Sequence, residues 1–283
     1  MKAWCPGHVT GFFVIEDVAA IPEKKGSRGV GFCTELGAIA DVQETDGLTS
    51  VSFGEDRAEA PVTKRALQLL APDAQFDVRI DHQAPMGQGF GMSAAGTFAA
   101  CLAAAVALDI KDPKYAALKA THIAEVENRT GLGDAVAQSL GGFVHRLEPG
   151  VPPHGELQVL KILPKDVVFC ILGPPIKTSA VLADQEMRAR IKESGELCLR
   201  DFEWLPGFDE FVGISWVFAR DSGLATERMA EALESLGSVG KGSMVMLGNC
   251  IFAFGDAEAA EKALAGFGTV IRTNVTMSGP CII

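Results

Sequence analysis

Apolar and polar positions alternate strictly through FDVRIDH, Phe76 to His82, with Phe76, Val78 and Ile80 on one side. That is the pattern of a strand with one buried face. Val9 to Ile15 is a run of β-branched and aromatic residues, Val30 to Val42 is a second run broken at Gly37, and Leu48 to Phe53 is a short alternating one. All three read as strands. Val62 to Leu70 has helical spacing. The character changes at Gln83 to Met92 (QAPMGQGFGM), a glycine-rich turn, after which Ser93 to Leu108 is Ala-rich and fits a buried helix. Asp112-Pro113 opens another helix, with Asp as its cap and Pro in its first turn. It runs to about Glu127 and is followed by a loop at Asn128 to Gly133 (NRTGLG), a short helix from Asp134 to Leu140 and a strand from Gly142 to Leu147.

Glu148 to Gly155 (EPGVPPHG) is dense in Pro and Gly and is the best linker candidate. Beyond it, Leu157 to Leu163 and Val167 to Leu172 read as strands. Helical spacing returns at Ser179 to Glu193, Phe208 to Arg220 and Thr226 to Leu236. A strand at Cys250 to Gly255, a helix at Ala257 to Gly266 and a strand at Thr269 to Thr276 close the pattern. Strands and helices mix in both halves, which predicts an α+β chain of two domains, 1–150 and 151–283.

The 283 residues suit two domains, and 48% hydrophobic with 22% charged residues excludes a disordered chain. The longest apolar run, Phe98 to Leu108, is too short to span a bilayer. No basic-then-apolar leader is visible, so a cytoplasmic location is expected. A net charge of -11 argues against nucleic acid or an anionic membrane as partner, while leaving room for a small anion in a local basic pocket. The seven Cys form no Cys-x-x-Cys pair and read as reduced, buried thiols.

The strongest chemical signal is Pro85-Met-Gly-Gln-Gly-Phe-Gly-Met-Ser-Ala-Ala, leading straight into a helix. Glycines let backbone approach a ligand closely, and a helix N-terminus suits phosphate. No Gly-Lys-Ser/Thr follows, so a Walker A loop is excluded. Gly89-x-Gly91-x-x-Ala94 matches a dinucleotide fingerprint, but one helix runs into another with no second strand ending in an acid. A packed turn whose glycines serve only sterics is the remaining reading.

PMGQGFGMSAAGT resembles the second motif of the GHMP kinases, with Phe90 for the usual Leu and Met92 for the first Ser. PGHVTGFF at 6–13 is similar to their first motif, and SMVMLGNCIFAF at 243–254 to a sparse form of their third. PGHVTGFF, GSRGVGF at 26–32 and RTGLGDAVAQSLGGFVHR at 129–146 together resemble the archaeal-type pantoate kinases. The resemblance implies an N-terminal domain like ribosomal protein S5 domain 2 and a ferredoxin-like C-terminal domain. It implies ATP and Mg²⁺, a small-molecule acceptor (pantoate), transfer to a primary hydroxyl on the route to coenzyme A, and a homodimer as a common assembly. Another acceptor of the homoserine, shikimate or mevalonate type, a non-catalytic sensor of the same fold, and a nicotinamide-dependent oxidoreductase are the alternatives.

On this resemblance Pro85, Gly87, Gly89, Gly91, Met92, Ser93 and Ala94 take the ATP phosphates. Ser93 and Glu125 hold the metal; Glu127, two residues on, faces another side of the helix. Asp134 is the catalytic acid; from spacing alone it is a helix cap. Arg28, between glycines, is the carboxylate clamp, because a guanidinium binds carboxylate bidentately. Arg129, Lys24 and Lys25 are lesser candidates for the same anion. His8 and Thr10 enter the substrate pocket, and His8 lies where kinases of this fold often carry a Lys paired with the acid. His82, His145 and His154 read as structural, and Trp4, Trp204 and Trp216 as core or pocket wall.

Overall fold

The computed structural model describes residues 1–160, 164–176, 181 and 183–283. Two antiparallel hairpin systems organise the chain. In the first, β1 (Lys2–Glu16) and β2 (Gly26–Glu44) pair along nearly their whole length, and β2 then pairs β5 (Phe76–His82) with one half and β6 (Phe143–Glu148) with the other. With β3 (Ser50–Phe53), β4 (Asp56–Ala58), β7 (Glu156–Leu160) and β12 (Cys281–Ile282) they make an eight-stranded sheet, in which β3 and β5 are parallel. Both long strands are continuous where the sequence reads two short runs. The break expected at Gly37 is a bulge: Pro6 faces Gly37 and Gly7 faces Thr34, so Glu35 and Leu36 are extra. A second bulge places Gly11 between the pairs Thr10–Gly31 and Phe12–Val30.

One face of this sheet is covered by α1 (Pro61–Leu70), α2 (Met92–Ala107), α3 (Pro113–Asn128) and α4 (Asp134–Leu140). Nearly every residue of α2 is buried, in line with its Ala-rich sequence: small side chains let a helix sit close against β1 and β2. Asp112 stands at the start of α3, but with φ 51° and no side-chain cap bond it does not act as the cap its type suggests. The opposite side of β1 carries α5 (Gln185–Trp204) and α6 (Phe208–Asp221). Asp184 caps α5 through the amides of Glu186 and Met187, and Thr226 caps α7 (Glu227–Ser235).

The second sheet has the order β11-β8-β10-β9, from β8 (Asp166–Ile171), β9 (Gly240–Met244), β10 (Cys250–Gly255) and β11 (Thr269–Asn274), with α8 (Ala257–Leu264) between the last two. That β-α-β-β-α-β order is the ferredoxin-like one, and the chain has the two-domain α+β architecture. β9 escapes sequence reading because GKGSM holds two glycines and no alternation. The Pro/Gly-rich stretch at 148–155 connects β6 to β7 inside the first sheet, so the chain changes sheets after Leu160, not at 150. The last residues of the expected strand at 157–163, and residues 179, 180 and 182 of the expected helix, lie outside the described residues. No helix among the described residues is long and apolar enough to cross a membrane.

The two sheets meet through phenylalanines. The ring of Phe32 on β2 lies 5.3 Å from Phe254, 5.4 Å from Phe252, 6.1 Å from Phe211 and 6.4 Å from Phe169, all wholly or almost wholly buried. Phe90, from the glycine loop, packs 4.8 Å from Phe169 and anchors that loop in the same cluster.

Candidate active site

The glycine loop leaves β5 and enters α2 with Gly87, Gly89 and Gly91 at φ 75°, 82° and 64°, a left-handed backbone that favours glycine. Its neighbour is the turn between β9 and β10. A Cβ at Gly89 would stand 2.7 Å from Val245 Cγ1 and 2.9 Å from the Met246 carbonyl oxygen, so the two loops touch backbone to backbone. Further bonds hold the loop in place: the His8 amide donates to the Phe90 carbonyl at 2.9 Å, and Gln138 Nε2 donates to the Gly91 carbonyl at 3.0 Å. No side chain caps α2, so its first amides are left for a ligand.

Two cavities flank this loop. The first spans about 790 Å³, including space open to solvent, and is walled by the loop and by Thr10, Ser27, Glu125, Asp134, Arg146 and Met246. The second spans about 920 Å³, again including open space, lies against Phe53, Val62, Ile80 and Thr97, and shares Met86, Gly87, Ser93 and Thr130 with the first.

Ser93, Glu125 and Thr130 form one cluster. Ser93 Oγ donates to Glu125 Oε1 at 2.9 Å and Thr130 Oγ1 donates to the same oxygen at 3.1 Å. The carboxylate is buried, and burial, helped by the charge of Asp134, pushes its pKa up to about 7 against the two hydroxyl donors. The loop above it is built for this. A Cβ at Gly131 would sit 2.1 Å from Glu125 Oε2, and one at Gly133 would sit 2.7 Å from Arg146 Nε. The glycines of TGLGD therefore let the chain pass over a carboxylate and a guanidinium at contact distance. Glu127 turns away and pairs with Arg65 at 2.7 Å.

Asp134 begins α4 at the cavity wall, a third exposed, with Oδ1 2.7 Å from His8 Nδ1. His8 is fully buried behind it and does not line the cavity, which corrects the expectation that it enters the substrate pocket. Burial pulls the imidazole pKa down, opposed by Asp134. Thr10, on the same strand face, does reach the cavity.

Arg28 is also displaced from its expected role. Its guanidinium pairs with Glu16 at 3.1 Å and Glu196 at 2.7 Å, and it is absent from the cavity wall. Strand alternation explains this: Ser27 faces the cavity, so its neighbour faces away. Arg129 and Lys25 line a separate surface cavity beside Asp17. Among the described residues that wall the cavity, the cation is Arg146, on β6. It is buried, its Nε donates weakly to the Ser27 carbonyl at 3.4 Å, and Nη1 has no hydrogen-bond partner among the described residues. Burial pulls its pKa down to about 10, opposed chiefly by Asp134. Sequence reasoning passed over it, although one signal was present: an Arg in the middle of FVHRLE, an otherwise buried strand.

Residues 61–142 match the model of the GHMP kinases N terminal domain. The chain is 31% identical over 280 residues to the pantoate kinase of Methanocaldococcus jannaschii, covering 96% of this chain and 99% of that one. It is 30% identical to the pantoate kinase of Methanospirillum hungatei, covering 100% of this chain and 96% of the relative. A solved structure described as a phosphotransferase related to the CoA biosynthesis pathway superposes with a TM-score of 0.89 at 28% identity, over 100% of this chain and 98% of that one. With this glycine loop, this acid and these full-length relatives, the chain belongs to the GHMP kinases, in the branch that holds the pantoate kinases.

Proposed function

We propose that this protein transfers the γ-phosphoryl group of ATP to the primary hydroxyl of pantoate. The observation that carries the reading is the convergence on one cavity of the glycine loop, the Asp134 carboxylate and the unpartnered Arg146 Nη1. Pantoate offers a carboxylate for the guanidinium and a hydroxyl for the acid.

The nucleoside lies in the second cavity, and the phosphates run over residues 87–94 to the α2 amides. Arg146, in place of Arg28, clamps the pantoate carboxylate, and Thr10 and Ser27 contact its polar groups. The hydroxyl proton passes to the Asp134 carboxylate as the oxygen attacks the γ-phosphorus. The new O–P bond forms as the bond to the β,γ-bridging oxygen breaks, leaving ADP. The residues also fit Mg²⁺. Ser93 Oγ and the Glu125 carboxylate are hard oxygen donors at the phosphate end, and a buried carboxylate with a raised pKa lacks a countercharge. Mg²⁺ held there supplies charge neutralisation for the β and γ phosphates.

The test is ADP release with ATP and Mg²⁺ across pantoate, pantothenate, homoserine, shikimate and mevalonate. Turnover with pantoate alone supports the reading. Turnover only with another acceptor, or none despite ATP binding, overturns it.

A further inference from the structure

We infer that His8 is a positioning residue that works as a neutral imidazole, donating Nδ1–H to Asp134 Oδ1 and so turning the other carboxylate oxygen toward the acceptor hydroxyl. The inference rests on the kinase reading for its consequence but on geometry for its basis. His8 Nδ1 and Asp134 Oδ1 are 2.7 Å apart, and His8 is fully buried. A carboxylate oxygen can only accept, so a short contact requires a proton on Nδ1 unless Asp134 itself is protonated.

The other ring nitrogen fixes the charge. His8 Nε2 is buried without a partner among the described residues, and faces the backbone at Gly31, where a Cβ would lie 2.5 Å away. An N–H at that place would have no acceptor, and a second positive charge would lie near Arg146. The charged or titratable groups around the ring are Asp134 from α4, Arg146 from β6 and Cys33, its cross-strand partner on β2, a thiol whose pKa burial raises. Only the tautomer with Nδ1–H and a bare Nε2 leaves no donor unpaired.

Two consequences follow for the acid. One oxygen is committed to His8, so the carboxylate plane is fixed. The contact at that oxygen is also a hydrogen bond from a neutral ring and not an ion pair. Asp134 is thus held as a proton acceptor instead of being neutralised in a salt bridge, and Arg146 stays available for the acceptor's carboxylate.

The experiment compares His8→Leu, which removes the donor, with His8→Asn, whose amide N–H sits near the place of Nδ1. Both are measured for kcat and for KM of ATP and pantoate, after melting and ATP binding confirm folding. Nitrogen-15 NMR of the wild-type imidazole is recorded alongside, with Asp134→Asn as control. Misplacing a reacting group costs about 100-fold. We expect His8→Leu to lose about that much kcat with KM values within threefold, and His8→Asn to recover at least about tenfold of it. The wild-type spectrum is expected to show protonated Nδ1 and unprotonated Nε2 from pH 6 to 9. A folded His8→Leu with kcat within threefold of wild type, or an Nε2–H tautomer, overturns the inference. If the wild type turns over no acceptor, the kinase reading fails while the spectrum still decides the state of His8.

Discussion

Glu125→Gln in the absence of metal and nucleotide tests the buried carboxylate directly. Burial raises the folded-state pKa from 4.5 to about 7, so the folded state prefers the protonated form. Stability from this group is therefore complete below about pH 4.5 and is lost as pH rises through about 7. At about 1.36 kcal/mol per pH unit, wild type loses about 2.5 kcal/mol from this group between pH 5 and 8. In a chain of this size that is a fall of about 5 °C in melting temperature. Gln keeps the shape and cannot ionise, so the variant lacks that part of the slope. Calorimetry of both proteins in EDTA at pH 5, 6, 7 and 8 reads the difference, since every other titrating group is common to the two. Added Mg²⁺ with ATP should then favour wild type at pH 8. A wild-type minus variant difference that stays within 1 °C across the range would show the carboxylate to be solvated and refute the argument.

Asp134→Asn should lower kcat about 1,000-fold in steady-state assays with KM for pantoate within threefold, because it removes the proton acceptor and leaves the shape. Arg146→Lys should raise KM for pantoate at least about tenfold with KM for ATP unchanged, since a lysine cannot make a two-pronged bond to carboxylate. Arg28→Ala should leave KM for pantoate within threefold, because its guanidinium already serves Glu16 and Glu196. The reverse order of these two effects would restore Arg28 as the clamp.

Much of this fold is written locally. The strand at 76–82 falls where alternation puts it, because it has one face on the core and one toward solvent, and the helix at 134–140 falls where expected although Ala135 to Ser139 are all buried. The glycine loop was legible for a different reason: its glycines alone leave a packed turn open, and the resemblance of the whole motif decides for a ligand loop. What could not be read is what depends on partners distant in sequence. Arg28 sits between Ser27 and Gly29 and Arg146 between His145 and Leu147, and only the way β2 and β6 present their faces decides which one reaches the cavity. Only its place in the first motif, and nothing in its own neighbourhood along the chain, hinted that His8 meets an acid 126 residues away. The Pro/Gly density at 148–155 signals a turn, and a turn inside one sheet has the same local chemistry as a linker between two.

The phenylalanine cluster around Phe32 bears on how the molecule comes apart. Its rings are drawn from β2, β8, β10 and α6, so neither sheet can lose its order without exposing aromatic surface on the other. The glycine loop enters the same cluster through Phe90. The two sheets are therefore one thermodynamic unit. Heating should give a single calorimetric transition with equal calorimetric and van't Hoff enthalpies, and partial unfolding that frees the second sheet should release the glycine loop with it.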